Sequence, residues 1–192
     1  INLEQVKQLS EKWFGPIPAG EKYYRHLPQE PEQHEARRET VTAKVPLNDI
    51  YIAFQMPGRL EDGYYEIDLI SDILSRGHSS RLYRKLVKDQ QLFSEIHAYN
   101  MGSFDKGVFV IEGKPLETVS IEDAEAAIWE VLETLKQQLV PADELTKVKN
   151  KTESTMVFSE ISLLDKAMNL AQFELLGDAD ELNKETAKYQ AI

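Results

Sequence analysis

Between Gly107 and Gly113 the chain runs Val108-Phe109-Val110-Ile111 without a polar side chain. The run is too short for a helix and rich in β-branched and aromatic residues, and its lack of alternation predicts a strand covered on both faces. A strand of that kind needs neighbours for its backbone hydrogen bonds and layers to cover it. Three further segments read as strands. Residues 93–99 pair naturally with 108–111. Residues 50–56, rich in Ile, Tyr and Phe, end at Pro57-Gly58, and residues 40–45 alternate through Thr40, Val41, Thr42 and Ala43. Gly102, Gly107 and Gly113 punctuate the connections.

The remaining apolar positions follow a helical period. Ile67, Ile70 and Leu74, flanked by Leu69 and Ile73, predict a helix over 62–76 with Gly77 as its C-cap. A second helix begins at Ser79 or Ser80 as N-cap and buries Leu82, Tyr83, Leu86 and Val87. Ser120 and Asp123 open a third, with Ile121, Ala124, Ile128, Val131, Leu132, Leu135 and Leu139 on one face. Pro141 suits the first turn of the next, which carries Leu145 and Val148. A helix over 160–176 stops at Gly177-Asp178, and the last residues begin one more.

The N-terminal region reads separately. Asn2 caps a helix over 3–14 with Gln5 in the capping-box position and a stripe of Val6, Leu9, Trp13 and Phe14; Gly15-Pro16 ends it. Prolines 16, 18, 28 and 31 then mark an extended linker over 16–38. Residues 1–15 thus read as the end of a helix from a preceding segment, 16–38 as linker, and 39–192 as a domain truncated at its C-terminal end. Runs of strands beside runs of helices predict an α+β fold with an antiparallel or mixed sheet.

Composition removes several function classes. The net charge of −11 repels a polyanion, so nucleic-acid binding is disfavoured. The absence of cysteine excludes disulfides, thiolate zinc sites and cysteine nucleophiles, and suits cytoplasm and periplasm alike. No apolar run approaches the ~20 residues that a membrane span requires. The opening Ile1-Asn2-Leu3-Glu4 has neither a start methionine nor a signal pattern, and both ends read as cuts inside a longer protein.

Candidate catalytic motifs are incomplete. His34-Glu35-Ala36-Arg37-Arg38 begins like the zinc motif H-E-x-x-H, but Arg38 stands where the second ligand belongs and a cation cannot coordinate zinc. No two of the histidines at 26, 34, 78 and 97 are three to five residues apart. Gly77-His78-Ser79-Ser80-Arg81 resembles the nucleophile elbow G-x-S-x-G, yet it ends in Arg81 and follows a helix rather than a strand. The acid pairs Glu61-Asp62 and Asp143-Glu144 sit at helix starts, where the helix dipole stabilises them.

Four segments carry a resemblance. Ile73-Leu74-Ser75-Arg76-Gly77-His78-Ser79-Ser80-Arg81-Leu82-Tyr83-Arg84-Lys85-Leu86 resembles the "iLg-G-x-x-SRLy-x-x-L" stretch of the pitrilysin (insulinase-like, inverted-zincin) zinc metallopeptidases. Lys12 to Pro18 is similar to that family's "kyFg-x-ip" helix end, Val45 to Pro57 to its following strand pair, and Pro141-Ala142-Asp143-Glu144-Leu145 to its "t-x-eEl" helix start. The resemblance implies a two-layer α/β sandwich with a mostly antiparallel sheet, two such domains closing as a clamshell around a peptide chamber. In that family H-x-x-E-H and a distant glutamate hold zinc; this chain lacks the motif and resembles the second, zinc-free domain. No cofactor is expected here, and zinc is expected in a catalytic domain of the same polypeptide or of a partner subunit.

The second domain of the family supplies an Arg and a Tyr to substrate through a pattern like L-R-x-K-x-x-L-x-Y. Leu86 and Leu92 keep that frame, but the Arg position is Val87 and the Tyr position Ser94. Arg84 and Tyr99 are the substitute candidates. The resemblance therefore implies an accessory half of a peptidase chamber, with a catalytic domain and a peptide as partners and a homo- or heterodimer compatible with it. The alternatives are a proteolytically inactive scaffold subunit of a larger complex and, least favoured, a free-standing enzyme with a novel site.

Overall fold

A computed structural model of the chain describes residues 2–22, 24, 26, 28 and 31–192. Five positions inside the expected linker (23, 25, 27, 29 and 30) lie outside the described residues. The chain divides into two units, residues 1–32 and 33–192, and each is described by itself.

In the first unit helix α1 (Leu3–Phe14) starts where Asn2 turns extended and its Oδ1 accepts from the backbone N–H of Glu4 at 3.0 Å and of Gln5 at 3.4 Å. Two of the orphan N–H groups of a helix start are satisfied in this way.

In the second unit three antiparallel strands form one sheet in the order β1-β3-β2: β1 (Ile50–Met56), β2 (Phe93–Met101) and β3 (Gly107–Pro115). The apolar run Val108-Phe109-Val110-Ile111 lies in the central strand. Phe109, Val110 and Ile111 are buried, whereas Val108 keeps 37% of its surface exposed, so coverage on the second face is incomplete. Gly107 and Gly113 belong to the strand rather than to its connections. Gly113 lies beneath Phe93, where an added Cβ would come within 2.8 Å of Phe93 Cε1.

One face of the sheet carries the core. Ile50, Ile52, Phe54 and Met56 of β1, Ile96 and Ala98 of β2, and Phe109 and Ile111 of β3 meet helix α2 (Tyr64–Ser75), a π-helix (Tyr83–Asp89) and helix α3 (Ile121–Gln137). Leu74, Leu82, Leu86, Ile111 and Ile128 have no exposed surface. Trp129 of α3 meets Phe54 edge to face at 5.8 Å. This helix begins as expected, with Ser120 Oγ accepting from Asp123 N–H at 3.1 Å. Outside this layer lie α4 (Ala142–Ser159), α5 (Leu163–Leu176), a 3₁₀ turn (Ala179–Lys184) and α6 (Glu185–Ala191). A smaller cluster of Leu69, Ile73, Val148 and Tyr189 ties α2 to α4 and α6. Helices on one face of an antiparallel sheet make the expected two-layer α+β sandwich.

Two expectations need correction. Residues 40–45 form no strand: Val41 and Val45 stand exposed, and nothing in the sheet takes their backbone hydrogen bonds. Alternation gives a segment one apolar face but no pairing partner, and without a partner a strand does not form. The helix after Gly77 is mostly π-wound, with Gln90 N–H donating to Lys85 O, and no serine hydroxyl caps it. Ser80 opens the turn through its carbonyl, which accepts from Arg84 N–H, while its own hydroxyl is buried without a partner among the described residues. Ser79 Oγ lies 3.1 Å from Lys147 Nζ instead. Gly77, at φ +86° one residue beyond the cap Arg76, ends α2 in the manner expected of glycine.

Candidate functional site

Because side chains alternate along a strand, the core face fixes what the other face shows. Three cross-strand ranks stand there, read from the pairing register: Tyr51, Glu112 and His97; then Ala53, Val110 and Tyr99; then Gln55, Val108 and Met101. Lys114 and Glu95 extend the face at one end. Tyr51, Ala53, Gln55, Glu95, His97, Tyr99, Met101 and Val108 are exposed, and Val110 forms a buried floor.

Glu112 is the centre of this face. Tyr51 Oη donates to its Oε1 and Tyr99 Oη to its Oε2, each at 3.1 Å. The hydrogen bond to Glu112 raises the Tyr51 pKa above the phenol range; for Tyr99, partial desolvation does so first and the same carboxylate second. Both phenols therefore stay protonated as donors at neutral pH. Beside them Lys114 pairs with Glu95, which holds the Glu95 carboxyl below its usual range and the Lys114 ammonium above its own. His97 Nε2 lies 3.9 Å from Glu95 Oε2.

The residues singled out in the sequence fall on different surfaces. Tyr99 stands on the open face. Arg84 projects from the π-helix into a groove of about 790 Å³ formed with the end of α3 and the start of α4, so the structure does not bring these two together. In that groove Arg81 is already engaged by Glu144, Nη2 to Oε2 at 2.6 Å. Val87 packs half-buried against the core, and Ser94 Oγ donates to Lys114 O at 3.1 Å. Of the frame residues Leu86 is buried and Leu92 half-buried.

The histidines are equally dispersed. His78 stacks on Tyr83 at 4.7 Å, His97 lies on the open face, and His26 and His34 are exposed. Arg38, which replaces the second ligand of the partial H-E-x-x-H, forms an ion pair with Glu125 of α3. Among the described residues no group of three His, Cys, Asp or Glu could hold a metal, so these residues do not fit the zinc of the family that the sequence resembles.

Sequence reasoning missed Tyr51, Glu112, Glu95 and Lys114. The signal available was the alternation along 95–101; what it could not supply was the register that sets Tyr51 opposite Glu112.

The sequence model of the peptidase M16 inactive domain matches residues 1–152. The chain belongs to the peptidase M16 family, as its inactive domain. Among curated relatives of this M16 domain, the zinc protease PqqE of Helicobacter pylori is 26% identical over 185 residues, which is 95% of this chain and 42% of that protein. The uncharacterized zinc protease YmxG of Bacillus subtilis is 27% identical over 169 residues, covering 86% of this chain and 40% of that protein. The crystal structure of a protease from Helicobacter pylori superposes with a TM-score of 0.92 at 25% identity, over 100% of this chain and 47% of that one. The M16 domain described here thus spans less than half the length of these relatives. Among the described residues no helix is long and apolar enough to cross a membrane.

Proposed function

We propose that this inactive M16 domain closes the substrate chamber of a zinc metalloendopeptidase and helps hold peptides that a separate H-x-x-E-H domain cuts. The catalytic domain resides in the same polypeptide or in a partner subunit and carries the zinc. The observation that carries this reading is the sheet face opposite the helical core. A two-layer sandwich covers one side of its sheet with helices; the other side, lined by Tyr51, Glu112, His97 and Tyr99, faces outward with side chains suited to contact. The dispersal of the four histidines over separate surfaces supports placing cleavage in the other half. Relatives more than twice as long as the matched region support a division of labour between halves.

The test is binding without cleavage. The 192-residue protein is mixed with fluorescent extended peptides, binding is followed by anisotropy, and peptide integrity by mass spectrometry with zinc added. Binding of intact peptide is expected. Zinc-dependent cleavage by this chain would overturn the reading, and absence of binding to every peptide would favour the inactive scaffold instead.

A further inference from the structure

Three strands converge on one carboxylate. Glu112 lies on the central strand, and phenols from both edge strands donate to its two oxygens, each at 3.1 Å. These donors fix the carboxylate without neutralising it, and each oxygen keeps a second lone pair. Lys114, two residues along the same strand, is held by Glu95. Asp49 adds a further negative charge felt by both Tyr51 and Lys114. Three carboxylates (Asp49, Glu95, Glu112) against one ammonium leave this end of the face negative.

The side chains around Glu112 supply the rest of a cation site. Tyr51 and Tyr99 are 60% and 36% exposed, so their ring surfaces are accessible on either side of the carboxylate. Aromatic faces attract ammonium and guanidinium groups. Ala53, exposed in the same rank as Tyr99, offers an apolar surface against which the aliphatic stem of a long basic side chain can lie. An acidic side chain would meet Glu112 and Glu95 instead.

We propose that this face binds an extended peptide through an arginine or lysine side chain, whose cation sits against Glu112 between Tyr51 and Tyr99. The assignment rests on the peptide-holding reading given above and adds its side-chain preference. The two phenols act as positioning residues: each holds one oxygen of the half-buried carboxylate. Arginine is the better occupant, because its planar fork can engage both oxygens at once.

The experiment uses the 192-residue protein and three five-residue peptides, N-acetylated and C-amidated so that no terminal charge competes. Their central residue is arginine, citrulline or glutamate. Affinity is read by calorimetry and the contact surface by NMR shifts of the Tyr51 and Tyr99 rings. The arginine peptide is expected to bind about tenfold tighter than its citrulline twin, with the advantage shrinking in high salt, as expected of an exposed cation–carboxylate contact. Glu112→Gln should abolish that advantage, and Tyr51→Phe with Tyr99→Phe should reduce it while circular dichroism stays unchanged. Equal binding of arginine and citrulline peptides would overturn the cation site but leave peptide holding intact. No binding of any peptide would overturn both. An arginine preference that survives Glu112→Gln would overturn the assignment to this carboxylate.

Discussion

Arg59 and Glu185 form an ion pair across 126 residues of sequence, with 11% and 10% of their side chains exposed. The guanidinium also lies 4.6 Å from the ring centre of Tyr64 and 5.5 Å from that of Phe173. One side chain therefore fastens the loop after β1 to α2, α5 and α6. Removing a single partner leaves an uncompensated charge in a largely buried place. Glu185→Ala should cost about 3 kcal/mol, the lower end for breaking a buried pair. Replacing both groups by apolar ones (Arg59→Met with Glu185→Leu) should recover most of it. Urea unfolding midpoints of the two variants check this; equal losses would show that the pair adds nothing beyond packing.

Gln91 adopts φ +52°, and it is the only non-glycine residue at positive φ among those described. It closes the turn between the π-helix and β2, where Leu92 N–H donates to Leu86 O. A Cβ is strained in that region, while glycine is not. After subtracting the greater flexibility of an unfolded glycine, Gln91→Gly should stabilise the protein by about 0.5–1 kcal/mol. Thermal unfolding measures it, and a lowered midpoint would refute the strain argument.

Gly113→Ala tests the close approach of Phe93 to the central strand. The new Cβ would stand 2.8 Å from Phe93 Cε1 and 3.3 Å from Ile96 Cγ1, so Phe93 must move within a filled core. The expected cost is about 1–3 kcal/mol, typical of overpacking. Pairing the change with Phe93→Leu should relieve part of it, and additivity of the two would count against a direct clash.

Glu181 accepts from Lys184 at 2.5 Å and from Lys188 at 2.8 Å, and these hydrogen bonds lower its pKa from 4.5 to about 2. A carboxyl held below its unfolded value stabilises the fold above that value and loses the contribution as pH falls through the folded one. The loss should therefore fall between pH 4.5 and about 2. Glu181→Gln should flatten this part of the acid unfolding curve relative to the native protein and leave its slope above pH 5, beyond the titration window, unchanged. Salt should weaken the difference, since these groups are exposed.

Zinc added to the 192-residue protein should give no saturable binding near one per chain, the stoichiometry of a catalytic site. A chelator should leave the unfolding temperature unchanged. One tightly held zinc, lost on mutation of His97 or His78, would contradict the dispersal of the histidines over separate surfaces.

Much of this architecture was legible because its causes are local. Asn2 and Ser120 cap helices through side chains two or three residues from the N–H groups they satisfy, and Gly177 ends α5 at φ +122°. The helical period from Ile121 to Leu135 gave α3 its buried face, while Leu139, expected on the same stripe, lies beyond the helix end and is 97% exposed; the apolar run at Val108 marked the central strand. The motifs around Ser80 and Leu86 pointed to the peptidase family, and the missing ligands to its inactive domain.

What the sequence determined by itself, then, is where most helices start and stop, which residues are apolar enough to make a core, and that no zinc motif is present. Only the tertiary structure decided that 40–45 stays out of the sheet, that Gly113 yields to the ring of Phe93, and that Tyr51 and Tyr99 share Glu112. Caps and periods act within a turn or two of chain, so they can be read along it. Strand partners and register are chosen by which distant segments bury the most together, and a side chain 61 residues from its acceptor, as Tyr51 is from Glu112, carries no sign of that in its own neighbourhood.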